Sequence, residues 1–207
     1  MKWQNFTFIG LGLIGGSIAK AIKKAYPMAK ISVLDKDKHS VDMAISEGIV
    51  EKGLQSVDEI PSDTELLFLC TPVEYNLHFL RDLAGKLSSH TLLTDVGSTK
   101  TSIMMEAESL GLSSRFCGGH PMAGSESSGY KASDSLLLEN AYYLLTPGKG
   151  FPKDSTEKMK FFLSSIGSIP FVMSPEEHDK SVACVSHLPH LIAAGLVKLL
   201  KEEDEKG

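Results

Sequence analysis

Cysteine is scarce in this chain: Cys70, Cys117 and Cys184 are the only three in 207 residues. An odd number without a Cys-x-x-Cys pair excludes a disulfide framework or a structural zinc site as the basis of the fold, and fits a reducing, cytoplasmic setting. Positive charge is also short, with 21 Lys and Arg against 26 Asp and Glu and a net charge of -5. No broad basic face for nucleic acid is therefore expected. No uninterrupted apolar run reaches the roughly 18 residues of a membrane helix, and MKWQNFTFIG carries no apolar signal core with a cleavage site. Membrane association is not expected. Repeats and low-complexity linkers are absent, and so is any His-Glu-x-x-His pattern, so no metal is expected. What remains is a globular composition, 42% hydrophobic and 23% charged, long enough for one large domain or one domain and part of a second.

Within that composition, short apolar runs alternate with longer amphipathic segments. FTFIG, ISVLD, ELLFLC, TLLTDV, RFCGGH, AYYLLTP and SIPFVMS read as strands. Helices are predicted at 13–26, 38–47, 74–87, 99–110 and 154–166. Strands apolar on both faces, separated by helices, define an α/β fold: a Rossmann-type, doubly wound, mostly parallel sheet. From Pro175 the chain reads as helical, the start of an all-helical second domain, so the expected division is 1–174 and 175–207. Pro189 requires either a bend or a new helix capped by Ser186. Leu188, Leu191, Ile192, Leu196, Val197, Leu199 and Leu200 are more apolar surface than a solvent-facing helix carries, so this segment is expected to meet a further domain or a second subunit. The tail KEEDEKG reads as a solvated end.

The run FIGLGLIGGS places Gly10, Gly12 and Gly15 in a Gly-x-Gly-x-x-Gly pattern after a strand and at the head of a helix. The first glycine permits the turn, the second admits a pyrophosphate and the third lets helix and strand approach. Leu11, Leu13 and Ile14 complete the turn, whose N–H groups and helix dipole suit a phosphate. Asp35, about twenty residues on at the end of the second strand, is placed for a ribose 2′-hydroxyl, which favours NAD. Lys36 and Lys38 leave NADP open.

Ligands of open α/β sheets sit beyond the carboxyl ends of the strands. Cys70 ends ELLFLC with Thr71 and Pro72 just beyond it, and Gly97 and Ser98 follow TLLTDV; Ser98 is alternatively a helix cap. GGHPMAGSE places His120 on thin, stiff backbone at the same rim. A neutral imidazole there can take a proton from an alcohol as hydride leaves the carbon, with a hydroxyl such as Ser98 fixing its tautomer. SHLPH puts His187 and His190 on one helix face, suited to a substrate carboxylate. His178 reads as a salt-bridged surface or hinge residue, with a reach into the cleft as the alternative, and His39, His78 and His90 read as solvated.

GLGLIGGS, DVGSTK, GGHPMAGSE, His178-Asp179 and SHLPH together resemble the prephenate/arogenate dehydrogenase family of tyrosine biosynthesis, from residue 6 to about 200. The resemblance implies a cyclohexadiene alcohol oxidised by NAD with loss of the ring carboxylate. It implies that His120 is the base, that Ser98 orients it and touches the hydroxyl, and that Ser125 and Glu126 belong to the substrate pocket and its gate. His190, with His187 beside it, would contact the substrate. Family members continue into an all-helical dimerisation domain bearing an arginine for a substrate carboxylate. This chain reaches Gly207 where that domain has barely begun, so the expectation is a homodimer through a domain only partly present. A β-hydroxyacid dehydrogenase would place a lysine on the candidate helix, where histidines stand instead. A non-catalytic dinucleotide sensor would bind cofactor independently of His120.

Overall fold

The structure, a computed structural model, describes residues 3–204, apart from the side chains of Glu202 and Glu203; residues 205–207 of the expected solvated tail lie outside the described residues. Four βα units and two strands without a following α-helix open the fold. They run β1 (Asn5–Ile9), α1 (Leu13–Ala25), β2 (Lys30–Leu34), α2 (Lys38–Ser46), β3 (Lys52–Leu54), β4 (Leu66–Leu69), α3 (Val73–Leu83), β5 (Leu92–Asp95), α4 (Thr101–Ser109) and β6 (Phe116–Pro121). β7 (Tyr142–Pro147), α5 (Lys153–Ser165) and β8 (Ile169–Val172) follow. The eight strands form one sheet in the order β3-β2-β1-β4-β5-β6-β7-β8. All neighbours are parallel except β6 and β7. The order reverses between β1 and β4, and a crevice opens at such a switch point beyond the carboxyl ends of the strands.

β4 shows why the sheet is covered twice. Its side chains alternate, so Leu66 and Phe68 join one apolar cluster while Leu67 and Leu69 join the other. The first face carries Ile18 and Ile22 from α1 and Phe162 from α5; the second carries Leu80 from α3 and Ile103 from α4. Phe8 stacks on Phe68 with centroids 4.7 Å apart. Burying each such ring contributes about 1.5–3 kcal/mol.

The strand expected at RFCGGH runs one residue past His120, through Pro121. β5 registers only with Phe116 and Cys117. Beyond them β6 is held by antiparallel β7, down to Pro121 opposite Tyr143. The end of β6 therefore overshoots β5 and carries His120 to the rim. β3 was not anticipated from the sequence.

The C-terminal segment is one continuous helical run. α6 (Pro175–Val182) begins with Pro175 at its first position and a capping box between Ser174 and Glu177. A π turn, Ala183–His187, leads into α7 (Leu188–Asp204). Of the two forms expected at Pro189, the new helix is not realised: Ser186 caps no helix start, because the run is already helical before it. Pro189 has no N–H for the carbonyl four residues back, and its ring crowds that carbonyl. The wider turn just before it, closed by the Leu188 N–H on the Ala183 carbonyl, accommodates both effects.

Leu188, Leu191, Ile192, Leu196, Val197, Leu199 and Leu200 are all exposed. By length and composition alone the 27-residue helix Pro175–Lys201, of mean hydropathy 1.5, is apolar enough to cross a membrane. The apolar character is not one uninterrupted run, because Ser186, His187, Pro189 and His190 break it without a Lys, Arg, Asp or Glu.

Candidate active site

The glycine turn connects β1 to α1. Gly10 adopts φ +98, and a Cβ there would lie 2.7 Å from the Cys70 carbonyl carbon. A Cβ on Gly15 would lie 2.5 Å from the Gly10 carbonyl oxygen, whereas one on Gly12 would meet nothing within 4 Å. Gly10 and Gly15 thus serve close packing, and Gly12 leaves open space at the helix head. α1 has no side-chain cap and no acidic residue in its first turn, which leaves its N-terminus suited to a phosphate. Leu13 and Ile14 are half-buried beside the opening, while the Leu11 side chain is buried in the core.

Asp35 stands at the end of β2. Its carboxylate accepts from the Leu11 N–H at 2.5 Å and the Asp37 N–H at 2.7 Å. It therefore braces the turn. Lys36 is exposed.

Cys70, Thr71 and Pro72 occupy the next strand end. Burial pushes the Cys70 thiol well above its ordinary pKa, so it stays protonated. Thr71 is locked by Asn76, whose Oδ1 accepts from the Thr71 N–H at 3.2 Å and hydroxyl at 2.5 Å, while its amide donates to the Leu69 carbonyl. Pro72 is exposed at the start of α3. Asn76 was not singled out from the sequence; a buried polar residue one turn into the helix is the signal that was there.

A buried ion pair lies beneath the rim. Lys100, 0% exposed, pairs with Asp95 and donates to the Gly119 carbonyl at 2.8 Å. Asp95 accepts from Gly97 N–H at 2.8 Å and Gly119 N–H at 3.0 Å. Burial pulls the Lys100 ammonium below its ordinary range against the pull of Asp95. The pair fixes both the Gly97-Ser98 loop and the backbone next to His120. Ser98 is exposed, and α4 starts later than predicted, with Lys100 rather than Ser98 at the cap position. Among the described residues no hydrogen bond joins Ser98 to His120.

The partner of His120 is His178, with Nδ1 of the first 2.9 Å from Nε2 of the second. His178 is buried, not on the surface. Its Nδ1 lies 2.8 Å from Asp179, whose carboxylate also accepts from the Lys100 N–H at 2.7 Å and the Thr101 N–H at 2.9 Å. Burial, helped by His178, Lys100 and His187, lowers the His120 pKa to about 3. The imidazole is therefore neutral near pH 7 and can accept a proton. Asp179, although burial opposes it, is held down at about 2 by hydrogen bonds from Thr101, His178 and Lys100. Ser125 and Glu126 are exposed on the loop after β6, and Ser125 accepts from the Ser127 N–H. His187 and His190 are exposed on the π turn and α7, and His39, His78 and His90 are exposed as well.

A glycine turn at a sheet switch point, an acid after β2 and a neutral histidine at the same strand edge define a dinucleotide-binding domain of the dehydrogenase type. Residues 18–188 match the model for the prephenate dehydrogenase nucleotide-binding domain, and residues 174–207 match that for the prephenate dehydrogenase dimerization domain. The chain belongs to the prephenate dehydrogenase family.

Its relatives include the prephenate dehydrogenase of Bacillus subtilis, 43% identical over 191 residues, which are 91% of this chain and 51% of that protein. The Lactococcus lactis prephenate dehydrogenase is 38% identical over 94% of this chain and 53% of that protein. The chain thus spans about half the length of these relatives. The solved structure of Aquifex aeolicus prephenate dehydrogenase in complex with hydroxyphenyl propionate and NAD+ superposes with a TM-score of 0.89 at 34% identity, covering 98% of this chain and 71% of that one. Synechocystis arogenate dehydrogenase gives 0.85 at 30% identity, over 94% and 68%. A 3-hydroxyisobutyrate dehydrogenase of Mycobacterium tuberculosis, 13% identical with a TM-score of 0.69, shares the fold alone.

Proposed function

We propose that this chain carries the nucleotide-binding and base-bearing part of an NAD-dependent prephenate dehydrogenase. The observation that carries this reading is His120: a neutral imidazole at the end of a strand that overshoots its neighbour, on the edge that also holds the glycine turn. Its Nδ1 is engaged by His178, which leaves Nε2 for a substrate hydroxyl. NAD supplies the hydride acceptor. Gly12 and the head of α1 would hold its pyrophosphate, Asp35 its adenosine ribose, and Cys70, Thr71, Pro72 and Gly97 the nicotinamide end. His120 takes the proton from the ring hydroxyl as C4 gives up hydride, and loss of the ring carboxylate leaves an aromatic ring.

Ser98, Ser125, Glu126, His187 and His190 are assigned to the substrate side. The exposed apolar face of α7 is assigned to a protein interface rather than a lipid one, within a homodimer in the cytoplasm, and residue 175 to the boundary between the two domains. The Aquifex structure, with NAD+ and hydroxyphenyl propionate bound, supports both the cofactor and the ring-shaped substrate.

The test supplies NAD with prephenate or arogenate to the chain extended through its helical domain and follows reduced nicotinamide. Turnover of prephenate is expected. Preference for arogenate would reassign the substrate, and NAD binding without turnover of either would reject the enzyme reading in favour of a sensor.

A further inference from the structure

The contact between His120 Nδ1 and His178 Nε2, at 2.9 Å, requires one nitrogen to carry the hydrogen and the other the lone pair. The far end of the chain of contacts decides which. The Asp179 carboxylate is ionised and can only accept, and it already takes the N–H groups of Lys100 and Thr101. His178 Nδ1, 2.8 Å from that carboxylate, must therefore donate. A neutral imidazole has a single N–H, so His178 Nε2 is bare and accepts. His120 then donates through Nδ1 and keeps its lone pair on Nε2, the nitrogen left for a substrate.

We propose that His178 is a positioning residue: it fixes the tautomer of His120 and, backed by Asp179, stabilises the imidazolium that forms when His120 takes a proton. This rests on His120 being the base. In the proton-transfer step the substrate O–H bond breaks, its proton binds His120 Nε2, and the oxygen keeps the electron pair. The proton stays on His120, whose Nδ1–H bond to His178 strengthens with the charge. Burial also holds His178 below its ordinary pKa, against its bond to Asp179, which keeps it neutral and accepting. The charged and titratable groups around the two rings are Asp95 on β5, Lys100 beside α4, Asp179 on α6 and His187 on the π turn. None of them offers His120 Nδ1 a hydrogen-bond acceptor. α6 lies where the two family matches overlap, at 174–188. The helix that enters the dimerization domain therefore sets the protonation geometry of the base.

The experiment reads the tautomer directly, by nitrogen-15 NMR of the imidazoles in this chain at pH 7 without substrate. His120 is expected to carry its hydrogen on Nδ1. His178→Gln, whose carbonyl oxygen can accept, should keep that state, and His178→Leu should move the hydrogen to Nε2. In the dehydrogenase assay His178→Leu should lower kcat about 10- to 100-fold with little change in KM for NAD, and His178→Gln should restore most of it. A folded His178→Leu protein that keeps both the tautomer and kcat overturns the proposal. So does a wild-type protein with the hydrogen on Nε2 of His120, a result that needs no variant to fold. An inactive wild type with the expected tautomer would count against the catalytic reading alone.

Discussion

Replacing Lys100 with methionine isolates the buried ion pair on which the rim rests. The substitution nearly conserves volume, so the cost is electrostatic. Asp95 would keep its bonds from Gly97 and Gly119 but lose its ion pair with Lys100, and the Gly119 carbonyl would lose its 2.8 Å donor. Breaking a fully buried pair from one side costs about 3–5 kcal/mol. In a chain of this size that is a fall in Tm of about 6–20 °C. Asp95→Asn combined with Lys100→Met removes the uncompensated charge while the asparagine oxygen still accepts from the backbone, so the double variant should lose only about 1–3 kcal/mol. The assay is urea unfolding followed by circular dichroism on this chain, for wild type, both single variants and the double. A Lys100→Met loss below about 1 kcal/mol, or a double variant as unstable as the sum of the singles, would show that the two charges do not stabilise the rim as a pair.

Further outcomes follow from the glycine turn and the histidine pair. Gly12→Ala, with open space around the added methyl, should leave Tm unchanged yet weaken NAD binding at least about tenfold, as measured by titration calorimetry; Gly10→Ala, at φ +98, should cost about 1–3 kcal/mol of stability as well. Because His120 is lowered from 6.5 to about 3 by folding, the unfolded chain binds its proton more readily across that interval. Stability therefore falls as pH drops from about 6.5 towards 3, and Asp179, lowered to about 2, adds to the loss below about pH 4. His120→Asn should lose measurably less stability than wild type between pH 7 and pH 4 in urea titrations.

The strands and the glycine turn were legible because their physics is local. Runs such as LLFL must be buried on both faces, and Gly10, Gly12 and Gly15 answer to backbone geometry within one turn. The rim position of His120 was legible for the same reason, although its strand runs further than the local pattern shows, since antiparallel β7 extends it. The acceptor for His120 was not legible. His178 sits among Glu176, Glu177 and Asp179, a setting that reads as solvent, and only its spacing of four from buried Val182 hints that it shares an inward face. Lys100 in GSTK reads as a surface residue until β6 closes over it. The π turn before Pro189 reflects a compromise between a continuous apolar helix and a missing N–H, for which local propensity offers two simpler outcomes. β3 has only three residues, one of them Gly53, too few for an alternation to register.

The central claim is that His120 removes the proton. Measuring turnover and NAD affinity of His120→Asn beside wild type, in the chain extended through its helical domain with NAD and prephenate, tests it most directly. A fall in kcat of about 10² or more is expected, with the dissociation constant for NAD nearly unchanged. Undiminished turnover in that variant would contradict it.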